Sequence, residues 1–258
     1  KNAFNYTGTA DVIGAVAIGY NALTAANNTN IDYSIAIGYT ALNTLQSGQH
    51  NVGVGFQSLT STNGGQFNVA MGSETGKFNV TGTGNILMGY QAGRGASGNS
   101  YTYNIGIGYQ ALYNVTTGGN NVVIGTLAGI AISEGEKNII IGRDAGKDIS
   151  TGDSNVAIGY QALYVENTGT YAVAIGYRSG YKNRLSAQNE NVFIGSNAGR
   201  ENTDGNDNVY VGYAAGYGLD GEGAANNTAV GNQALRYAKG NDNIGIGHDA
   251  GRHATGSQ

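Results

Sequence analysis

The phrase NVAIGYQAL at residues 155–163 returns as NIGIGYQAL at 104–112, as SIAIGYTAL at 34–42 and, with substitutions, as NVVIGTLAG at 121–129. Its internal glycine sets a period. The glycine after the second aliphatic residue is Gly19, Gly38, Gly55, Gly72, Gly89, Gly108, Gly125, Gly142, Gly159, Gly176, Gly195, Gly212, Gly231 or Gly247, fourteen copies in all. The spacing is 17 residues, stretched to 19 at four steps and cut to 16 at the last. A recurring unit this short cannot bury an apolar face alone, so successive copies must stack on one another.

Positions are numbered here from that glycine. Position −1 is Ile, Val or Met in every copy, and position −3 is Val or Ile except at Thr228. Two aliphatic positions separated by one residue describe a β-strand, and three residues between turn formers are too few for a helix. On this pattern −1 and −3 are expected to face a core. Position −2 carries no charge in any copy and is Ala or Gly in nine, from Ala17 to Gly245. A strand face so dry and so small reads as a second buried face, covered most simply by another copy of the chain.

Asparagine holds position −4 in eleven copies: Asn51, Asn68, Asn85, Asn104, Asn121, Asn138, Asn155, Asn191, Asn208, Asn227 and Asn243. Its side chain tolerates left-handed turns and hydrogen-bonds along a ladder of stacked copies. The repeat glycine has two possible reasons, positive φ or close backbone approach. Position +1 is aromatic in eight copies, +3 is always Ala, Ser or Thr, and +4 is always Leu or Gly. The expected fold is all-β: a parallel β-solenoid of about fourteen 17-residue coils, one continuous array over residues 1–258. Its final copy is as regular as the others, so the array reads either as a segment of a longer fibre or as one whose ends stack on neighbours.

The nine-residue phrases contain only Glu74, Arg143, Asp144, Arg178 and Asp249 out of thirty charged residues; the connectors, such as RENTDGND at 200–207, and the flanks carry the rest. With 45 glycines, no proline and no strict three-residue period, the chain is not collagen. The absence of cysteine removes disulfides and thiolate chemistry. A net charge of −4 offers no basic footprint for nucleic acid, and no apolar run is long enough for membrane insertion.

Catalytic and ligand-binding readings find little support. GIGYQA at 106–111 imitates a dinucleotide-binding loop, but a 17-residue period cannot hold a βαβ unit. IGYNAL fits the hexapeptide rule of acyltransferases and carbonic anhydrases only once per coil, and His50, His248 and His253 do not share a position in adjacent coils. Glu74, Asp144 and Asp249, the candidates for paired carboxylates, are not in neighbouring copies. NTDGNDN at 202–208 has alternating calcium-type ligands without the closing bidentate Glu, and reads as a turn. No catalytic residue, cofactor or metal is expected. Glycosylation sequons at Asn5, Asn27, Asn79, Asn114 and Asn226 lie in connectors or flanks, where exposure is expected.

With its connectors, the phrase N-x-A-I-G-Y-x-A-L resembles the repeats of phage and bacterial tail-fibre-type proteins. It is also similar to the β-roll head repeats of trimeric autotransporter adhesins, although the adhesin repeat is shorter. The resemblance implies a homotrimer, alone or joined end to end into a filament, that is extracellular, on a cell surface or on a virion. It implies a non-catalytic fibre shaft for adhesion or structure, meeting a cell-surface glycan or receptor. The different-class alternative is a carbohydrate-cleaving tailspike with carboxylates at an inter-chain groove.

Overall fold

The computed structural model describes residues 13–24, 30–184, 190–218 and 224–253. They form a parallel β-solenoid without a helix, in two compact units. In the first, Lys1–Leu127, the strands are β1 (Val16–Ile18), β2 (Ile35–Ile37), β3 (Val52–Val54), β4 (Val69–Met71), β5 (Ile86–Met88), β6 (Ile105–Ile107) and β7 (Val122–Ile124). In the second, Ala128–Gln258, they are β8 (Ile139–Ile141), β9 (Val156–Ile158), β10 (Val173–Ile175), β11 (Val192–Ile194), β12 (Val209–Val211), β13 (Thr228–Val230) and β14 (Ile244–Ile246). Each strand pairs with the next of its unit in parallel and in repeat register, as in Val52↔Val69, Gly53↔Ala70 and Val54↔Met71. The two-residue insertions fall between strands and leave that register intact.

The strand faces are the reverse of those expected from the aliphatic pattern. Position −2 points into the coil: Ala36, Ala70, Leu87, Val123, Ile140, Ala157, Ala174, Phe193 and Ala229 are fully buried. Positions −1 and −3 point outward and are half-buried or exposed in every strand. The reason is the narrow interior of a 17-residue coil. Its opposite wall supplies the buried +3 residues and, in coils such as those of Ala41, Leu42, Ala111, Leu112, Ala162 and Leu163, a +4 leucine, so in those coils little room remains for the strand's own side chain. Connector residues Val115, Ile132 and Ile149, at +7, complete the core.

Four left-handed residues turn each coil, at −5, 0, +2 and +4. In the coil of Gly55 they are His50 (φ 57°), Gly55 (135°), Gln57 (54°) and Leu59 (49°). A left-handed non-glycine residue costs about 1–2 kcal/mol, offset here by backbone bonding on both sides. Gln57 N donates to Tyr39 O at 2.9 Å in the preceding coil, and Leu59 N to Thr75 O at 3.0 Å in the following one. The repeat glycine meets both conditions left open by its sequence. Its φ is positive, and a Cβ at Gly55 would lie 2.3 Å from the carbonyl oxygen of Gly72 one coil on.

Candidate functional surface

Inside each unit the asparagines at −4 form a hydrogen-bonded column, unbroken from Asn51 to Asn121 in the first. Asn51 Oδ1 accepts both the backbone N–H and the side-chain Nδ2 of Asn68 at 3.1 Å. Asn68 Oδ1 accepts the same pair from Asn85 at 3.1 and 2.9 Å, while Asn68 Nδ2 also donates to Gly82 O at 2.8 Å. The column continues through Asn104 and Asn121 in the first unit. In the second it joins Asn138 to Asn155 and Asn191 to Asn208, Asn227 and Asn243. Ala172 interrupts it, keeping only the backbone bond to Asn155 Oδ1. These side chains are buried and their donors and acceptors satisfy one another. The column holds coils together and offers nothing to a ligand.

The outer face is the exposed surface with a repeating pattern. Its centre is a pair of aliphatic columns at −3 and −1, with Ile18 at 58 %, Met71 at 42 % and Ile175 at 36 % exposure. The +1 aromatics stand beside it. Tyr20, Tyr39 and Phe56 stack with ring centroids 5.3 and 5.4 Å apart, as do Tyr90 with Tyr109 and Tyr160 with Tyr177 at 5.4 Å. Within each stack the mutually facing sides of the rings cover one another, and the edges are turned outward.

A second aromatic column, missed in the repeat phrase because it lies one residue outside it, occupies −5. Tyr33, His50 and Phe67 stack at 5.1 and 5.2 Å. Its sequence signal was the return of an aromatic five residues before the glycine, at Tyr33, Phe67, Tyr103 and Tyr171. A further column, of cations and rings, runs at +2 and +5 of the second unit. There the guanidinium of Arg178 lies 5.3 and 5.5 Å from the ring centres of Tyr177 and Tyr181, and Arg200 sits 5.9 and 5.5 Å from Tyr181 and Tyr217.

The carboxylates considered for catalysis are engaged within the chain. Glu74 Oε2 accepts from Arg94 Nε and Gln91 Nε2, each at 3.0 Å, and Lys77 Nζ is 3.5 Å from its other oxygen. Partial burial alone would raise the Glu74 carboxyl above its usual range, but the Gln91 and Arg94 hydrogen bonds and the Lys77 charge hold it below. Asp144 pairs with Arg143 at 3.4 Å, and Asp249 with His248 at 3.2 Å and Arg252 at 3.6 Å. The histidines are dispersed, His50 between Tyr33 and Phe67 and His253 on Tyr237. Among the described residues no three His, Asp or Glu side chains converge as metal ligands. In the 202–208 loop Asn202 is buried, donating to Gly205 O and Asn183 Oδ1, while Asp204 is exposed. The two therefore do not face one site.

One buried carboxylate had no signal in the repeat. Glu166 is fully buried at +7, where Val115, Ile132 and Ile149 stand in earlier coils, and it accepts from Asn167 N at 3.1 Å, Gly169 N at 2.9 Å and the side chain of Asn183. A cavity of about 230 Å³ lies farther along the second unit, lined by Tyr210, Asn227, Leu235 and Lys239 among others. Burial pushes the hydroxyl of Tyr210 well above the usual phenol range, with a side-chain hydrogen bond to Asn227 acting the other way. Lys147 is raised by its hydrogen bond with the Tyr164 hydroxyl.

Of the sequons, Asn114 and Asn226 are exposed. Asn79 corrects the expectation of exposure: it is fully buried, its Oδ1 accepting from Gly82 N at 3.1 Å and Tyr101 N at 3.3 Å. A polar side chain at +7 is drawn inward to cap the connector turn. Asn5 and Asn27 lie outside the described residues. No helix among the described residues is long and apolar enough to cross a membrane. In comparison with known proteins, no family model, curated protein or solved structure matches the chain.

Proposed function

We propose that this chain is a non-catalytic fibre shaft, extracellular or virion-associated, that assembles as a homotrimer and serves attachment or a structural filament. The observation that carries the reading is the exposed aliphatic face. In the first unit, ten side chains at −3, −1 and +1 are at least 38 % exposed. At roughly 80 Å² apiece they leave an apolar strip on the order of the ~800 Å² that each partner of a stable interface covers. Monomeric proteins rarely leave so large an apolar patch to water.

A second copy suits this face because it presents the same side chains at the same coil spacing of about 4.8 Å. Further support comes from the interior, which is filled by small residues, leucines and the asparagine column, and from the engagement of the candidate carboxylates Glu74, Asp144 and Asp249 in pairs. A cell-surface glycan or receptor would meet tyrosine edges and hydroxyls along these stacks, since the facing sides of their rings cover one another. The test is the mass and shape of the purified chain by light scattering with negative-stain imaging. Rods of three chains are expected; a stable single chain would overturn the assembly, and polysaccharide cleavage by the purified protein would overturn the non-catalytic role.

A further inference from the structure

The two edges of the outer face in the second unit carry opposite charge. The leading edge, positions −6 and −5 just before each strand, holds Glu136, Asp153, Glu190, Asp207 and Asp242 against Lys137 alone. None of these five acids forms an ion pair among the described residues. Glu190 and Asp207 occupy the same position in successive coils, whose strands pair Val192↔Val209. Like charges stacked at about 4.8 Å repel, and among the described residues no cation pairs with either, Asp207 accepting only from the neutral Asn206 amide.

The trailing edge, from +1 to +6, holds seven Lys and Arg residues against four Asp and Glu. Three of those acids, Asp144, Glu201 and Asp249, are consumed by bases of the same edge. Arg236 lies over Tyr217 and Tyr237 at 5.5 and 4.9 Å, extending the stack that begins at Arg178 and Arg200. Tyrosine stacking leaves a guanidinium its charge, and no ion pair to Arg178 or Arg236 is found among the described residues. The edges are separated by a three-residue strand, a width of about 10 Å occupied by the aliphatic columns, so one chain cannot bring its own edges together.

We infer that copies of this chain associate in parallel, with the acidic leading edge of one against the Arg/Tyr trailing edge of the next. This rests on the assembly proposed above and adds its polarity. Rotation about any axis parallel to the solenoid places leading against trailing edge, whereas an antiparallel pair places acid against acid. Complementary rim charge is a device for register and partner choice more than for raw affinity. The aliphatic columns between the edges supply the apolar contact, and the edges decide which way the neighbour runs.

The experiment measures the mass of the full chain against concentration by sedimentation, with circular dichroism as the check on folding. One variant reverses the leading edge (Glu190→Lys with Asp207→Lys), a second the trailing edge (Arg178→Glu with Arg236→Glu), and a third carries all four changes. Each reversed edge is expected to raise the association midpoint by about tenfold or more, and the four-substitution chain to recover most of that loss. The milder pair Glu190→Gln and Asp207→Asn is expected to weaken association while raising the stability of the coil, because it removes the stacked repulsion. Single-edge reversals that leave the midpoint in place, or a four-substitution chain no better than either, would overturn the inference. An unaltered chain that sediments singly at every concentration is a separate result, which removes the assembly itself.

Discussion

Phe193 occupies the space that a side chain on Gly199 would need: a Cβ there would lie 2.4 Å from Phe193 Cδ1. The pair is one case of a size exchange across the interior. Wherever −2 is large, at Leu87, Val123, Ile140, Phe193 and Tyr210, the +4 residue is glycine; wherever +4 is leucine, −2 is Ala or Gly. Coils small at both positions are filled by neighbours, as at Gly180, where a Cβ would meet Phe193 at 2.7 Å and Leu163 at 3.0 Å. Gly199→Ala is therefore expected to cost about 2–4 kcal/mol, combining overpacking with a left-handed φ of 58°. Phe193→Ala is expected to cost about 3–5 kcal/mol. The double change Gly199→Leu with Phe193→Ala rebuilds the Ala/Leu arrangement of other coils and should cost much less than the sum in urea unfolding. Strict additivity would sink the size-exchange account.

Two glycines separate conformational cost from crowding. Gly98 has φ 85° with nothing within 4 Å of a built Cβ, whereas at Gly159 (φ 131°) the Cβ would stand 2.4 Å from Gly176 O. Gly98→Ala is expected to cost about 1–2 kcal/mol and Gly159→Ala at least about 3 kcal/mol, because the latter must also push neighbouring coils apart. Equal losses of thermal stability at these glycines would show that close approach is unimportant at the repeat position.

Removal of one rung tests the asparagine column. Asn68→Ala takes away the acceptor of two Asn85 donors and leaves the Gly82 carbonyl with only the longer 3.4 Å bond from Asn79 Nδ2. The expected loss is about 2–4 kcal/mol, since each buried group left unsatisfied costs about 1–3 kcal/mol. Amide hydrogen exchange reports the site directly: Asn85 N–H should lose protection before amides several coils away. Uniform loss along the unit would point instead to global unfolding.

Glu74 links stability to acid. Its folded carboxyl titrates below the ordinary value of 4.5, held there by Gln91, Arg94 and Lys77 against the opposing effect of burial. The folded form thus binds its proton less readily than the unfolded form, so its stabilisation is complete above the unfolded value and is lost as pH falls through the folded one. Glu74→Gln is expected to lower stability at pH 7 by no more than about 1 kcal/mol, as suits a partly exposed pair. The difference from the unaltered chain should shrink toward pH 3 in parallel unfolding curves. A difference that is constant with pH would contradict the charged pairing.

Substitutions on the outer face separate assembly from folding. Ile175 and Ile194 are each 36 % exposed, at −1 of paired strands. Lysine at both positions should leave the circular dichroism spectrum and the coil intact while lowering the mass in solution to a single chain. Retention of the full assembled mass would exclude this face as the seam.

The repeat glycines and the −3/−1 aliphatic positions were enough to place every described strand, and the 17-residue period was enough to require parallel stacking. The buried Asn79 and Glu166 were not legible, because +7 is aliphatic in some coils and polar in others and its inward direction depends on the connector's path. The interior size exchange was present in the sequence, but it becomes visible only when −2 and +4, six residues apart, are known to meet across one lumen.

By itself, the sequence determined a one-strand coil, its period, its register and the glycine at its turn, since these depend on local backbone geometry and on spacing. Tertiary structure alone decided which strand face is inside. A Val-Ala-Ile triplet alternates identically whichever face the core takes, and hydrophobicity favours the aliphatic one. Coil closure reverses that choice: with Leu163 entering from the opposite wall, the lumen has room for Ala157 but not for Val156 or Ile158, which are left on the outside.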